Sequence, residues 1–280
     1  MRKSTLNRKT EYTLVGSGAV RCNLNRGGPC EVLSLPDGEQ IIVDLGRNAV
    51  HNLTECGFTV EAINTVFITH LHFDHVCDLP YFVLLSWNNG RERPLRFFGP
   101  EGLGDYLRFS IREAYTEDIE SRLAHGKDPL GIEWEVTPIT GDGEFLKTGS
   151  CTLSALETPH GSMDSLNLRV DSPEKRVVIT GDTRPDERLV SFAEEADLLA
   201  VECSGTRSFL DGVPWGEWHM CPEAVADLAA KAGAKRTVLK HLVMDDWSED
   251  PDVGEQLEAK VRTGCDSDVT AGYDGLKVSV

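Results

Sequence analysis

The sequence contains no CxxC pair. Its eight cysteines, Cys22, Cys30, Cys56, Cys77, Cys151, Cys203, Cys221 and Cys265, are scattered over 280 residues. The opening MRKSTLNRKTEY is basic but lacks the apolar stretch that secretion requires, so reduced thiols and a cytoplasmic protein are expected. Long apolar runs are missing too. The longest, near Tyr81 to Leu85, is far short of the ~20 residues of a membrane span. Basic residues are scarce, with 28 Lys and Arg against 46 Asp and Glu and a net charge of −18. Such a surface repels phosphate backbones and makes nucleic acid an unfavourable partner. No internal repeat, low-complexity stretch or Pro/Gly/Ser linker divides the chain, so residues 1–280 read as a single domain. At 40% hydrophobic residues the chain is long enough to bury a large core, which excludes a disulfide miniprotein and a disordered tail.

What is present reads as strands with helices between them. Residues 13–16 run into the glycine-rich GSGAV. Residues 31–35 and 40–45 form strands separated by the turn Pro36-Asp37-Gly38, and 65–69 is a β-branched strand. Residues 47–57 read as a helix and 80–130 as a helical region. Further strands are expected at 132–137, 152–157, 166–170, 176–181, 197–201, 236–240 and 276–280, with helices at 222–232 and 254–263. Pro222 in its first turn and Gly233 just past its end bound the first of these helices. Strands in both halves, with helices to cover them, predict an α/β protein of two packed sheets.

The chemistry concentrates in Thr69-His70-Leu71-His72-Phe73-Asp74-His75, directly after the apolar strand. Three imidazoles and a carboxylate at a buried strand's end must be satisfied by something, and this donor set suits Zn²⁺. His70 and His72 alternate on an extended segment and face one side. After the turn, Asp74 and His75 address a second point, which favours two metals about 3.5–4 Å apart. Other strands also end in ligand types: 153–158 leads to His160, 177–180 to Asp182, 237–240 to His241, and 41–43 to Asp44. Of the eight histidines, only His51 and His125 lie outside plausible site positions.

In motif order, HLHFDH, the strand-borne His160, GDT at 181–183 and the late His241 resemble the metallo-β-lactamase superfamily of hydrolases. The opening LVGSGAVRCNLNRGGPCEV is similar to the glycine-rich first hairpin of its ribonuclease Z and arylsulfatase-like branch. LLAVECS at 198–204 resembles that branch's EAT element, WHMCPEAVA at 218–226 its HST element, and KAGAKRTVLKH at 231–241 the strand carrying its last ligand. The resemblance implies a four-layer αββα sandwich with a helical insertion around 80–130 and metals at one edge. It implies that His70, His72 and His160 hold one metal, and that Asp74, His75 and His241 hold the other, with Asp182 bridging. Two zinc ions are expected, with manganese or iron as alternatives, and a homodimer fits the family. Asp44 would orient the HLHFDH loop. Asp74, Glu202 and His219 would be catalytic: a metal-bridged hydroxide, oriented by Asp74 and Asp182, attacks, and His219 held by Glu202 protonates the leaving group.

The tRNA nuclease of this branch carries an arm between its counterparts of His160 and Asp182. Here that interval is GSMDSLNLRVDSPEKRVVITG, which reads as strand, turn, strand and leaves no room for one. A small phosphodiester, sulfate or carboxylic ester is therefore the expected substrate, with tRNA 3′ processing or lactone or thioester hydrolysis as alternatives. A di-iron redox protein is disfavoured by His72 and by chain length. Residues 80–130 and 207–219 are candidates for a pocket wall, with Trp87, Trp215 and Trp218 as its aromatics. The stretch after Met244, from Asp245 to Glu255, reads as a solvated acidic loop.

Overall fold

The computed structural model describes residues 9–149, 151–243 and 253–280. The basic start and most of the acidic stretch after Met244 lie outside these; its Glu255 is exposed on a helix. The first half contains strands β1 (Glu11–Gly16), β2 (Cys30–Ser34), β3 (Gln40–Val43), β4 (Thr65–Phe67), β5 (Leu95–Gly99) and β6 (Trp134–Pro138). Its helices are α1 (Ala49–Glu55), α2 (Phe73–Val76), α3 (Leu79–Asn88), α4 (Leu103–Leu107) and α5 (Thr116–Ala124). The second half contains β7 (Gly143–Lys147), β8 (Thr152–His160), β9 (Met163–Asp171), β10 (Arg176–Ile179), β11 (Leu198–Glu202), β12 (Arg236–Lys240), β13 (Asp268–Ala271) and β14 (Leu276–Ser279). Helices α6 (Glu187–Phe192), α7 (Arg207–Leu210), α8 (Pro222–Ala232) and α9 (Val253–Arg262) alternate with them. Among the described residues no helix is long and apolar enough to cross a membrane.

Two seven-stranded sheets result, ordered β14-β1-β2-β3-β4-β5-β6 and β13-β12-β11-β10-β9-β8-β7. Each is antiparallel on one side and parallel on the other, the change falling at β3 in the first and β10 in the second. The strands at these changes alternate between two cores. Ile41 and Val43 of β3 face the space between the sheets, while Ile42 faces outward onto α1 and α3. Val177 and Ile179 of β10 do the same on the other sheet, with Val178 turned to the outer core that includes residues of α6 and α8. Burial on both faces is why these strands read as unbroken apolar runs. The layers are helix, sheet, sheet, helix.

One expectation needs correction. Residues 80–130 are not wholly helical, because β5 runs through them and pairs in parallel with β4 and β6. Phe97 packs into the outer core and Phe98 into the inner one, so the segment lacks the alternation that marks a half-buried strand. Strands β7 and β13 and helix α6 also fall outside the expected elements.

The sheets are stitched together at one edge. Leu166 N donates to Thr69 O at 2.9 Å and Leu242 N to Ser17 O at 3.0 Å, each bond joining a segment just past a strand of the first sheet to the second sheet's half. The ligand-type residues collect along this seam.

Candidate metal centre

Each side chain of the cluster reaches the seam from a strand end. His70 and His72 lie on the extended segment after β4, and Asp74 and His75 on the single turn of α2. His160 is the last residue of β8, Asp182 follows β10, and His241 follows β12. His241 and Asp44 both adopt left-handed backbone, with φ of 54° and 59°, a conformation that costs a non-glycine residue about 1–3 kcal/mol and marks functional strand ends. Gly181 is required by close approach. A Cβ there would meet Ser165 Oγ at 2.2 Å and Thr69 Cβ at 3.0 Å, so only glycine lets Asp182 follow β10 this near the first sheet.

The ring nitrogens are sorted by their outer partners. Asp44, fully buried, accepts from Thr69 N and Thr69 Oγ1, each at 2.8 Å, and from His75 Nδ1 at 2.7 Å. Thr69 Oγ1, its proton given to Asp44, accepts from His70 Nδ1 at 2.9 Å. The Trp218 carbonyl accepts from His160 Nδ1 at 3.3 Å. In each case Nε2 is turned inward, the arrangement that outer partners impose on metal-binding histidines.

The inward nitrogens converge on one oxygen. Asp182 Oδ2 lies 3.9 Å from His70 Nε2, 3.5 Å from His75 Nε2, 3.6 Å from His160 Nε2 and 3.2 Å from His241 Nε2. Asp74 Oδ2 is 3.6 Å from His241 Nε2 and 3.8 Å from His75 Nε2. Ligand atoms of His70, His72 and His160 lie within 4.8 Å of one another, as do those of Asp74, His75 and His241, and those of His70, His75 and Asp182. Asp182 thus stands between the two histidine groups.

These residues fit a cation. His75 Nε2, His241 Nε2 and Asp182 Oδ1 are buried and lack a hydrogen-bond partner among the described residues, a cost of about 1–3 kcal/mol each that nothing in the protein offsets. Burial pulls His70 well below the ordinary imidazole range and lowers His72 and His160, so they present neutral lone pairs. Burial would do the same to His75, but the Asp182 and Asp44 carboxylates outweigh it and raise its pKa. Burial likewise opposes ionisation of Asp182, yet His241 and His75 hold its carboxyl well below the usual range. The enclosed carboxylates demand positive charge.

Beside the cluster, Glu202 closes β11 and is fully buried. His219 Nδ1 lies 3.1 Å from its Oε1 and 3.2 Å from its Oε2, and Thr183 N donates to Oε1 at 2.8 Å. Burial alone would lower the His219 pKa, but Glu202 reverses this and raises it to about 9. A cavity of about 550 Å³ opens over the cluster, with His72, Asp74, His160, Asp182, His219 and His241 among its lining residues and Val20, Phe73, Pro214, Trp215, Trp218 and Val243 around them.

Part of the expected pocket wall is therefore in place and part is not. Residues 214, 215, 218 and 219 line the cavity, but no residue of 80–130 does. Trp87 is core: it is fully buried and donates from Nε1 to Asp128 O at 2.7 Å, because α3 turns that face onto the first sheet's outer side. Pro100 and Glu101 border a separate cavity beyond Leu71 and Met163. His51 and His125 are exposed and belong to none of these groups, lying beside Glu55 and Ser121. Sequence reasoning gave no role to Thr69 or Ser204, both of which hold site histidines. Their signal is a hydroxyl two residues past the end of a buried strand.

A family model described as Anti-Pycsar protein Apyc1 matches residues 13–235. Ribonuclease Z of Mycolicibacterium gilvum is 28% identical over 259 residues, covering 85% of this chain and 88% of that protein. Ribonuclease Z of Mycobacterium bovis is 27% identical over 283 residues, covering 96% and 98%. The same fold is found in the metallo-β-lactamase fold protein YhfI from Bacillus subtilis, with a TM-score of 0.77 at 19% identity over 97% of this chain and 99% of that one. It recurs in the short form of human tRNase Z, with a TM-score of 0.74 at 22% identity over 96% and 99%.

Proposed function

The chain belongs to the family described as Anti-Pycsar protein Apyc1, within the ribonuclease Z-like branch of the metallo-β-lactamase superfamily, and we propose that this metal-dependent hydrolase cleaves a small phosphodiester. The anti-Pycsar role for which the family is named is proposed for this chain as well. A single observation carries the reading: one cavity is lined both by the cation-demanding cluster and by His219 backed by Glu202.

His70, His72 and His160 would hold one divalent ion and Asp74, His75 and His241 a second, with Asp182 shared. Imidazole and carboxylate donors favour zinc, with manganese or iron also accepting the set. When bound, such ions would acidify water enough to supply the nucleophile near neutral pH and would offset the charge of the scissile group. Asp74 and Asp182 accept hydrogen bonds from the attacking water and orient it. His219 delivers a proton to the leaving oxygen, and its Glu202 partner keeps that proton in place until needed. Phe73, Trp215 and Trp218 shield the site from water and pack against the substrate's apolar part. An alkoxide leaving group needs this proton, whereas a thiolate does not, which supports an oxygen ester over a thioester. The ribonuclease name of the curated relatives supports phosphorus as its centre.

Transfer-RNA processing is the second reading, favoured by the 28% identity to ribonuclease Z. Against it, β8 connects through one turn to β9 and then β10 with no inserted arm, and the net charge is −18. The test is turnover of chromogenic phosphodiester, sulfate, carboxylic ester, lactone and thioester substrates alongside precursor tRNA, with metal content measured. The phosphodiester should lead. Site-specific tRNA 3′ cleavage at physiological salt would replace the small-substrate reading, and loaded enzyme inert toward every phosphodiester would end it.

A further inference from the structure

Three side-chain contacts meet on one oxygen. Ser204 is fully buried two residues past the end of β11. Its Oγ lies 2.7 Å from Glu202 Oε2, 3.0 Å from His219 Nδ1 and 3.1 Å from His241 Nδ1. A hydroxyl donates one hydrogen bond and accepts two. The carboxylate can only accept and makes the shortest contact, so the serine proton goes to Glu202. Both imidazoles then present N–H from Nδ1 to the serine oxygen. For His241 this leaves Nε2 as the bare lone pair, and Nε2 is the nitrogen that lies 3.2 Å from Asp182 and 3.6 Å from Asp74. For His219 it leaves Nε2 as the nitrogen engaged by neither Ser204 nor Glu202.

We propose that Ser204 is a positioning residue whose single hydroxyl sets the tautomer of His241 and aims the ring of His219 through its Nδ1–H, leaving the Nε2–H of the protonated ring for the leaving group, and so couples metal uptake to proton delivery. This rests on the reading of His241 as a ligand and His219 as the proton donor. Without the hydroxyl, His241 loses the acceptor for its Nδ1 proton and gains freedom to carry that proton on Nε2, where it would block a metal. His219 in the same variant keeps Glu202 but loses one of the two groups that aim its ring. One substitution should therefore impair two functions that otherwise belong to different residues. A hydroxyl serving packing alone would impair neither selectively.

The experiment compares wild type with Ser204→Ala and Ser204→Thr in the full chain, the latter restoring the residue found in the EAT element that this segment resembles. Histidine tautomers are read by proton–nitrogen NMR in the zinc-loaded and zinc-free protein, zinc affinity by chelator competition, and turnover with a phosphodiester leaving-group series. Wild type and Ser204→Thr should show both Nδ1 protons. Ser204→Ala should lose or mobilise that of His241, bind zinc about 10–100-fold more weakly, and lose most activity with the poorest leaving groups. An Nε2–H tautomer of His241 in zinc-free wild type would overturn the proposal, as would Ser204→Ala with unchanged tautomers and zinc affinity. Should Ser204→Ala fail to fold, the wild-type tautomers and Ser204→Thr decide. Wild type that takes up no zinc would overturn the metal reading instead, while the zinc-free spectra still decide Ser204.

Discussion

Glu202 holds His219 by a contact of 3.1 Å to Nδ1, and this contact sets the charge of the imidazole. The His219 pKa is raised to about 9 because the buried carboxylate outweighs the cost of burial. A raised pKa means a proton held below about 9 and released above it, and the stabilisation it lends the fold is complete below about 6.5 and gone above about 9. Turnover of substrates with poor leaving groups should fall on the alkaline side. In Glu202→Gln that limb should move down toward the ordinary imidazole value. Measured pH–rate profiles at saturating metal check this, and coincident limbs would remove Glu202 from the proton's control.

Replacing the imidazole itself separates chemistry from metal binding. His219→Ala should retain its metal and lose kcat by roughly 10²–10⁴ for poor leaving groups. The loss should shrink as the leaving group becomes more acidic. A leaving-group series with elemental analysis alongside is the check, and a uniform loss or a loss of metal contradicts the role.

Asp182 and Asp44 should rank differently. Asp182 lies among both histidine groups, so Asp182→Ala should abolish stoichiometric metal binding. Asp44 touches only His75 among the ligand-type residues, so Asp44→Asn should weaken affinity by about 10–100-fold and leave the site competent at high metal concentration. Titration with zinc reads both.

Gly181→Ala should disturb the centre without touching a ligand. The added Cβ would fall 2.8 Å from Leu166 O of β9 and 3.0 Å from Thr69 Cβ, pushing the turn that carries Asp182 away from β9 and from the segment that carries His70. Overpacking of this kind costs about 1–3 kcal/mol. Thermal unfolding should show that loss, together with less metal per chain.

Between the sheets, Lys240 Nζ lies 2.7 Å from Glu31 Oε1, with both side chains buried. Removing one partner leaves an uncompensated buried charge, so Lys240→Met should cost about 3–5 kcal/mol, and adding Glu31→Leu should recover most of it. Denaturant titration of the two variants decides it; equal stability of single and double variants would mean the pair does not act as one.

The fold and centre were legible where sequence order and spatial order coincide. HLHFDH is dense because one loop supplies four of the cluster's residues, and the apolar runs ending at His160, Asp182 and His241 reflect strands buried on both faces. Strand β5 was hidden because Phe97 and Phe98 serve opposite cores, and β7 because it is an exposed edge bearing Glu144 and Lys147. Trp87 stood among the candidate pocket aromatics because an indole's character does not tell which side of α3 it takes. Thr69 and Ser204 were unmarked because their importance lies in partners that neighbouring strands of the same sheet bring to them, Asp44 after β3 for Thr69 and His241 after β12 for Ser204. The cluster itself forms where the two sheets cross.

That crossing has a mechanical consequence. The ligand-type residues His70, His72, Asp74 and His75 follow a strand of the first sheet, and His160, Asp182 and His241 end or follow strands of the second. The seam between them is held by backbone bonds such as Leu166 to Thr69 and Leu242 to Ser17. An ion gripped from both sides acts as a rivet through that seam. At a free concentration 1,000-fold above its dissociation constant it would add about 4 kcal/mol of stability, delivered where the two halves would otherwise part. Loading the site would then tighten the whole sandwich, and slower amide exchange along the Thr69–Leu166 edge would register it before any substrate is added.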